Sequence, residues 1–357
     1  MRDSILRRVR PDQIRELVLV LVIVLLVAFF ALQIEGYLSG RTFNRVTTGF
    51  PIVAVVAVGQ VLVILTRNID LSVGSQVGMV AYMLGSLMGS QPDLHPLLVV
   101  AIAMGLGAVL GAINGAIVAY GRVPAIITTL GTLAIYRVVL IELGEARTVT
   151  TTGFPDWLLA FPSTNVFQLE GLDIRLVFAV TLVAVAIGQV VLRYLPYGRR
   201  LYAIGSNPDA ARTAGLPIQR DVFWAFTGCG AMAGLGGFLF LAKFGNITVV
   251  AGQGIELAVI AAVVVGGVNI FGGSGSMVGA FLGVVLVEVL QQSLVRWIGI
   301  SDFVRDFLLG LLILVAVASD KIILGRMQEA WVRVRHRDEA AARLAREVGE
   351  GTAAGER

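Results

Sequence analysis

Residues 17–32 pass without a charged side chain, and further apolar stretches follow near 48–66, 71–89, 96–120, 125–141, 176–195, 222–244, 255–268, 277–297 and 303–323. Helices of about 20 apolar residues are what the hydrocarbon core of a bilayer demands, because every backbone polar group must be satisfied there within the chain. These runs are too long and too rich in glycine for the alternating strands of an outer-membrane barrel. The expected fold class is an all-α integral membrane protein with about ten transmembrane helices. Composition agrees: 15% of residues are charged, where a soluble domain carries roughly 25%.

One stretch breaks the pattern. Ile64 to Gly78 reads ILTRNIDLSVGSQVG, with Arg67, Asn68, Asp70, Ser72 and Ser75 between apolar flanks. Charged groups beside a spanning run are costly and settle at a membrane face, a wet cavity or a partner surface. Gly74 and Gly78 would let a second backbone approach closely. A polar turn between two spans is the plain alternative. A second copy favours the functional reading. Val268 to Gly279 reads VNIFGGSGSMVG, and a shift of 201 positions superposes Asn68 on Asn269, Gly74 on Gly275 and Ser75 on Ser276. Such a repeat points to a transporter of two related halves around a central path.

Basic residues give the topology. Of 28 Lys and Arg, 20 fall in residues 2–15, 67, 122, 193–220 and 321–357, all on the side of the amino terminus in a ten-span count. That asymmetry places both termini in the cytoplasm. Residues 1–16 form a cytoplasmic segment, 17–324 the membrane domain, and 325–357 an Arg/Glu/Ala-rich tail expected to be partly helical. The net charge of +4 thus reflects topology and does not indicate nucleic acid. One cysteine and two histidines make neither a disulfide nor a zinc pattern. The 142–173 loop is long enough for a short helix lying on the outer face.

Four further features carry chemistry. In PYGRRLYAIGSNPDAARTAGLPIQR, Asn207 is an N-cap, Pro208 suits the first helical position and Asp209 complements the helix amino terminus. Ala210, Ala211 and Arg212 continue the helix, and Gly215 stops it. A capped helix of about two turns in a basic loop is either a surface connector or a docking element that transmits force from a soluble partner. Glu288 and Gln292, four residues apart in an apolar run, share a helix face. They line a path, or they serve helix packing. Thr128 and Thr129 face the path or bond back to their own helix. Glycines at 105, 107, 111 and 115, and at 228, 230, 234, 236 and 237, favour tight helix packing.

Taken together, TRNIDLSVGS, GRVPA with TLGTLAIYR, YGRRLYAIGSNPDAARTAGLP and AGQGIELAVIAAVVVGGVNIFGGSGSMVGA resemble the permease subunits of bacterial ABC importers for sugars. The likeness covers about residues 48–320 and looks nearest to the autoinducer-2 type, with rhamnose and pentose permeases close by. It implies a multi-pass inner-membrane subunit, translocating a monosaccharide or sugar-like solute by alternating access. It also implies a separate ABC ATPase that holds ATP and Mg, a periplasmic solute-binding protein, and a second permease, identical or a sister chain. No GxxxxGK[ST] loop, nucleophile elbow or HExxH occurs, so no enzyme, cofactor or metal is expected on this chain. A stand-alone secondary sugar carrier is the competing reading, and Glu288 its mid-span acid. A scaffold or receptor would need a soluble domain larger than the tail.

Overall fold

The computed structural model describes residues 11–145, 147–169 and 172–299, with residues 301, 304, 307, 308, 310, 311 and 314. The expected tail helix, and most of the tenth run at 303–323, lie outside the described residues. The chain divides into a unit of Met1–Ile313 and a second of Leu314–Arg357. The polar motifs and the helices that carry them belong to the first.

Helix α1 (Pro11–Gln33) leads to a short loop and α2 (Gly40–Gly49), which bends by 41° into α3 (Pro51–Leu65). Then come α4 (Val73–Ser90), α5 (Pro96–Ala119) and α6 (Ala125–Leu143). The long loop holds α7 (Asp156–Ala160), a 3-10 turn and an antiparallel hairpin of β1 (Asn165–Leu169) and β2 (Leu172–Arg175). The fold is otherwise helical: α8 (Leu176–Tyr194), α9 (Pro196–Ser206), α10 (Pro208–Thr213), α11 (Ile218–Phe244), α12 (Ile255–Val265) and α13 (Met277–Ile298).

Among the described residues, six helices are long and apolar enough to cross a membrane, or seven if the bent α2–α3 pair is one span. Three of the ten expected runs are not among these: the tenth lies mostly outside the described residues, α4 is long enough but not apolar enough, and α12 is too short. At 1.5 Å per residue the 11 residues of α12 reach about 16 Å, short of the ~30 Å core. The eighth apolar run is therefore a half-length helix.

Helix α11 is the axis of the unit, packing on α5, α3 and α4. Its contact with α5 is made by backbone. A Cβ on Gly107 would overlap the Gly230 carbonyl oxygen, and one on Gly111 the Phe226 carbonyl oxygen. Small residues drive such approach where lipid supplies no hydrophobic gain. Gly105 faces open space instead. Two faces result. The segments 66–72, 120–124, 195–217 and 266–276 gather at one, and 34–45, 90–95, 144–175 and 295–299 at the other.

Candidate functional site

Helix α3 ends at Leu65 with a left-handed residue, Arg67 at φ +66°. Arg67 N donates to Ile64 O at 2.9 Å and Asn68 N to Val63 O at 3.3 Å, the two reverse bonds of a Schellman stop. That position normally takes glycine, since a Cβ there is strained. Arg67 is held in it by its own side chain. Nε donates to Gly205 O at 2.6 Å and Nη2 to Ser206 O at 2.9 Å, satisfying carbonyls at the end of α9. Asn68 turns back onto Thr66.

Beyond the stop the chain runs inward through a closed polar knot. Asp70 Oδ1 accepts from Ser72 N at 2.8 Å and from Ser72 Oγ at 2.6 Å. The Ser72 hydroxyl in turn accepts from Gln76 and Asn114, each at 2.8 Å. Both amides also reach Asp70 Oδ2, at 3.2 and 3.3 Å. Tyr136 donates to Asn114 Oδ1 at 3.2 Å, and the Gln60 amide brackets the Asp70 backbone N–H and C=O at 3.1 and 3.3 Å. Every side-chain group reaching the Asp70 carboxyl is a donor, which matches an acceptor-only carboxylate. Asp70, Ser72 and Ser75 are buried. In this structure they hold the break between α3 and α4 together. The burial follows from Gln60, Gln76 and Asn114, which close over them.

The second break has a related form. Gly267, at φ +92°, donates to Val264 O at 2.9 Å, and Val268 N to Val263 O at 3.1 Å. The same stop thus recurs with a shift of 200, not 201. Downstream, Ser276 caps α13 by accepting from Gly279 N at 2.9 Å, while α4 begins after Ser72. The helix starts are therefore offset by 204. Asn269 holds the intervening turn by accepting from Phe271 N at 2.9 Å, and Gly275 has φ +138°. The residue-by-residue match at 201 is corrected accordingly, because the second loop is longer.

The two breaks meet on α9. Gly273 N donates to Leu65 O at 3.1 Å, and the Tyr202 hydroxyl to Gly275 O at 2.8 Å. From α1, Arg15 donates to Gly267 O at 2.8 Å and Glu16 bonds Ser276 Oγ at 2.6 Å. The loop expected to hold one short helix holds two. Asn207 caps the second, accepting from Asp209 N at 3.1 Å and Ala210 N at 3.0 Å. Asp209, Ala210, Arg212, Ala214 and Gly215 are exposed. Ala211 is 4% exposed, which corrects it as a surface contact: a two-turn helix lying on the bundle turns one side inward. The Asp221 carboxylate takes a two-pronged bond from Arg200, at 2.5 and 3.0 Å, anchoring α9 to α11. That bond raises the Arg200 pKa, and burial pushes the Tyr197 phenol up beside it.

A third polar layer was not foreseen in the sequence. Arg137 donates to Val249 O at 3.2 Å and to Ala251 O at 2.5 Å. It lies 12 residues into α6, about 18 Å along its axis, so the 249–254 segment is unwound at depth. Such backbone occurs inside membranes only where protein buries it or it lines a wet cavity. Gly252 and Gly254, at φ +76° and +85°, allow the turn. Gly74 and Gly78 receive it: added Cβ atoms would strike Gly252 O and Ala251 O. Glu256 accepts from Gly254 N at 3.2 Å, while its buried Oε2, against Gly74, has no hydrogen-bond partner. Nearer the other face, Gln292 donates to Glu288 at 2.9 Å, Glu288 lies against Gly49, and Lys243 donates to Gly49 O at 3.1 Å. Thr129 bonds back to Ala125 O at 2.8 Å; Thr128 Oγ1 is buried without a partner.

Residues 42–317 match the family model of permease components of the branched-chain amino acid transport system. The chain belongs to this permease family. Among its relatives is the Autoinducer 2 import system permease protein LsrC of Enterobacter sp. (strain 638), 34% identical over 321 residues, 89% of each chain. The LsrC proteins of Escherichia coli O9:H4 (strain HS) and Salmonella typhi are each 35% identical; the first match covers 92% of both chains, the second 92% of this chain and 90% of its relative. No solved structure matches. The resemblance drawn from the four motifs agrees with these relatives. The permease is a multi-pass transport subunit and not an enzyme.

Proposed function

We propose that the permease is the membrane subunit of an ATP-driven importer for a sugar-like solute, autoinducer-2 or a related monosaccharide, in the inner membrane. The observation that carries this is the likeness to autoinducer-2 import permeases across nine-tenths of the chain. On this reading a separate ABC ATPase binds ATP and Mg, a periplasmic protein delivers the solute, and a second permease, identical or sister, completes the path. The face bearing Arg67, Arg122, Arg193, Arg199, Arg200, Arg212 and Arg220 is then cytoplasmic, as are both termini. On this reading ten membrane segments, the eighth of them a half-length helix continued by the unwound 249–254 segment, form two halves related by the α3–α4 and α12–α13 breaks.

Helices α9 and α10 are the coupling element. Their exposed side offers Asp209, Ala210, Arg212 and Ala214 to the ATPase, and their inner side holds both breaks through Arg67, Gly205 and Tyr202. A push on α10 reaches the breaks, and through α4 and α12 the unwound 249–254 segment. Half-helices with unwound backbone at mid-depth are where transporters bind solute. Arg137, Glu256 and the 249–254 carbonyls are the groups assigned to sugar hydroxyls.

The test is Ala210→Glu in the assembled importer. Uptake should fall and binding-protein-stimulated ATP hydrolysis should separate from it, with the permease still inserted. Unchanged uptake with intact stimulation would make α10 a surface turn. Uptake by the permease alone in proteoliposomes, driven by a proton or sodium gradient, would replace the reading with a secondary carrier.

A further inference from the structure

The face opposite the breaks carries a two-part cavity. Its inner part is a slot of about 640 Å³ between α1, α2, α8 and α13, walled by apolar side chains such as Val24, Val46, Phe50, Phe281 and Val285. Its outer part is a pocket of about 800 Å³ lined by Arg41, Arg45 and Arg296, with Glu35 the acidic side chain among its lining residues. The two share Ser39, Gly40 and Thr42 as a common rim. The result is one amphipathic space, apolar at membrane depth and basic at the surface.

The arginines are not used up by the fold. Arg296 donates to Thr42 Oγ1 at 2.8 Å and to Glu35 O at 2.9 Å, both neutral acceptors, and lies over the Tyr37 ring. Arg41 and Arg45, both exposed, pair with no carboxylate among the described residues. They sit four apart on one face of α2, where like charges repel. Helix α2 is itself amphipathic, turning Val46 and Thr47 inward and the arginines outward, the pattern of a helix lying in the interface.

We infer that this space binds one anionic phospholipid, its acyl chain in the slot and its phosphate among Arg41, Arg45 and Arg296. Guanidinium groups match phosphate oxygens geometrically. Three guanidinium groups around one pocket favour an acidic headgroup over a neutral one by charge, whichever leaflet they face. An acidic side chain of a docking protein would fill the outer pocket and leave the apolar slot unexplained. A zwitterionic lipid offers the same phosphate but brings its own ammonium cation, which a pocket lined by three arginines disfavours.

The permease is purified in mild detergent, incubated with phosphatidylglycerol or phosphatidylcholine, and retained lipid is measured by native mass spectrometry. Phosphatidylglycerol should be retained preferentially. In R41Q/R45Q that preference should drop about thirtyfold, the loss of two basic contacts at a lipid surface. Val285→Phe, which narrows the slot with the arginines intact, should also release lipid. Arg147→Gln, an exposed outer-loop arginine paired with Glu145, should change nothing. Equal retention of both lipids, or retention unchanged in R41Q/R45Q, overturns the inference. So does displacement by inorganic phosphate at lipid-equivalent concentrations, which would mark a headgroup-only anion site. Loss of binding-protein-stimulated ATPase in R41Q/R45Q with lipid retention intact would assign the pocket to an acidic partner instead. Lipid retention is read on the permease alone, so its failure is distinct from failure of the transport reading.

Discussion

Gly205→Ala tests whether α9 holds the two breaks. In an open helix position this change stabilises by up to about 1 kcal/mol. Here the added methyl would overlap Leu65 O and Gly273 N and stand 3.0 Å from Gly273 Cα. All three are backbone and cannot rotate away. Carbon atoms settle at about 3.5–4.0 Å, so the end of α9 must retreat by roughly an ångström from both breaks. Overpacking of this kind costs about 1–3 kcal/mol. The retreat also stretches the Arg67 bonds to Gly205 O and Ser206 O, now 2.6 and 2.9 Å. Arg67 is exposed, so their loss adds only about 1 kcal/mol. The net expectation is a loss of about 2–4 kcal/mol, which lowers the midpoint by roughly 5–15 °C. A thermal scan in detergent reads this, with Gly131→Ala, which meets nothing within 4 Å, as the unperturbed control. In the assembled importer, uptake should fall more than basal ATP hydrolysis. A midpoint equal to the control's, with full uptake, would refute the junction.

Gly111→Ala should force α5 and α11 apart, because its Cβ would stand 2.9 Å from the Gly230 Cα and N as well as striking Phe226 O. A loss of about 1–3 kcal/mol is expected, while Gly105→Ala, in open space, should be neutral or slightly stabilising in the same thermal scan. Asp70→Ala should cost about 3–5 kcal/mol, since it strips the acceptor from a fully buried set of donors. Asp70→Asn keeps an oxygen for Ser72 and should cost about 1–3 kcal/mol. Folded yield and hydrogen exchange of the start of α4 separate the two.

Much of the frame was legible because lipid imposes a strong pattern. The apolar runs, the interrupted motif at Thr66 to Gly78, the Asn207 cap and the packing glycines at 107 and 111 all follow from local chemistry. The polar layers were not legible for a common reason. Gln60, Gln76 and Asn114 are single polar residues in apolar helices, and only the tertiary approach of α5 brings Asn114 to Asp70, 44 positions away. Arg137 and Glu256 carried a readable signal, being charges within or beside apolar runs, but their partners are backbone groups of a loop, carbonyls for Arg137 and the Gly254 N–H for Glu256, with no sequence signature. Helix α9 was hidden by Gly198, Gly205 and the charged pair Arg199–Arg200. Its glycines read as loop residues, yet each meets a backbone at close range.

The offset between the two breaks gives them different tasks. Both open with the same Schellman stop, 200 positions apart, but the first uses Arg67 where the second uses Gly267. The first is short, and its side chain reaches out to α9. The second is four residues longer before its helix resumes, and its glycine backbone reaches the first break and α9, with Gly273 on Leu65 at the end of α3 and Gly275 on Tyr202 of α9. The end of α9 therefore takes the Arg67 side chain of the first break on its carbonyls and reaches the second through the Tyr202 hydroxyl, while Gly273 ties the two breaks to each other through main chain. On the proposed reading a displacement of α10 reaches both at once, because Gly205 sits between Leu65 and Gly273 with no space to give. The rigidity resides in backbone contacts, so substitutions that enlarge glycine should disturb coupling more than removal of the Tyr202 hydroxyl.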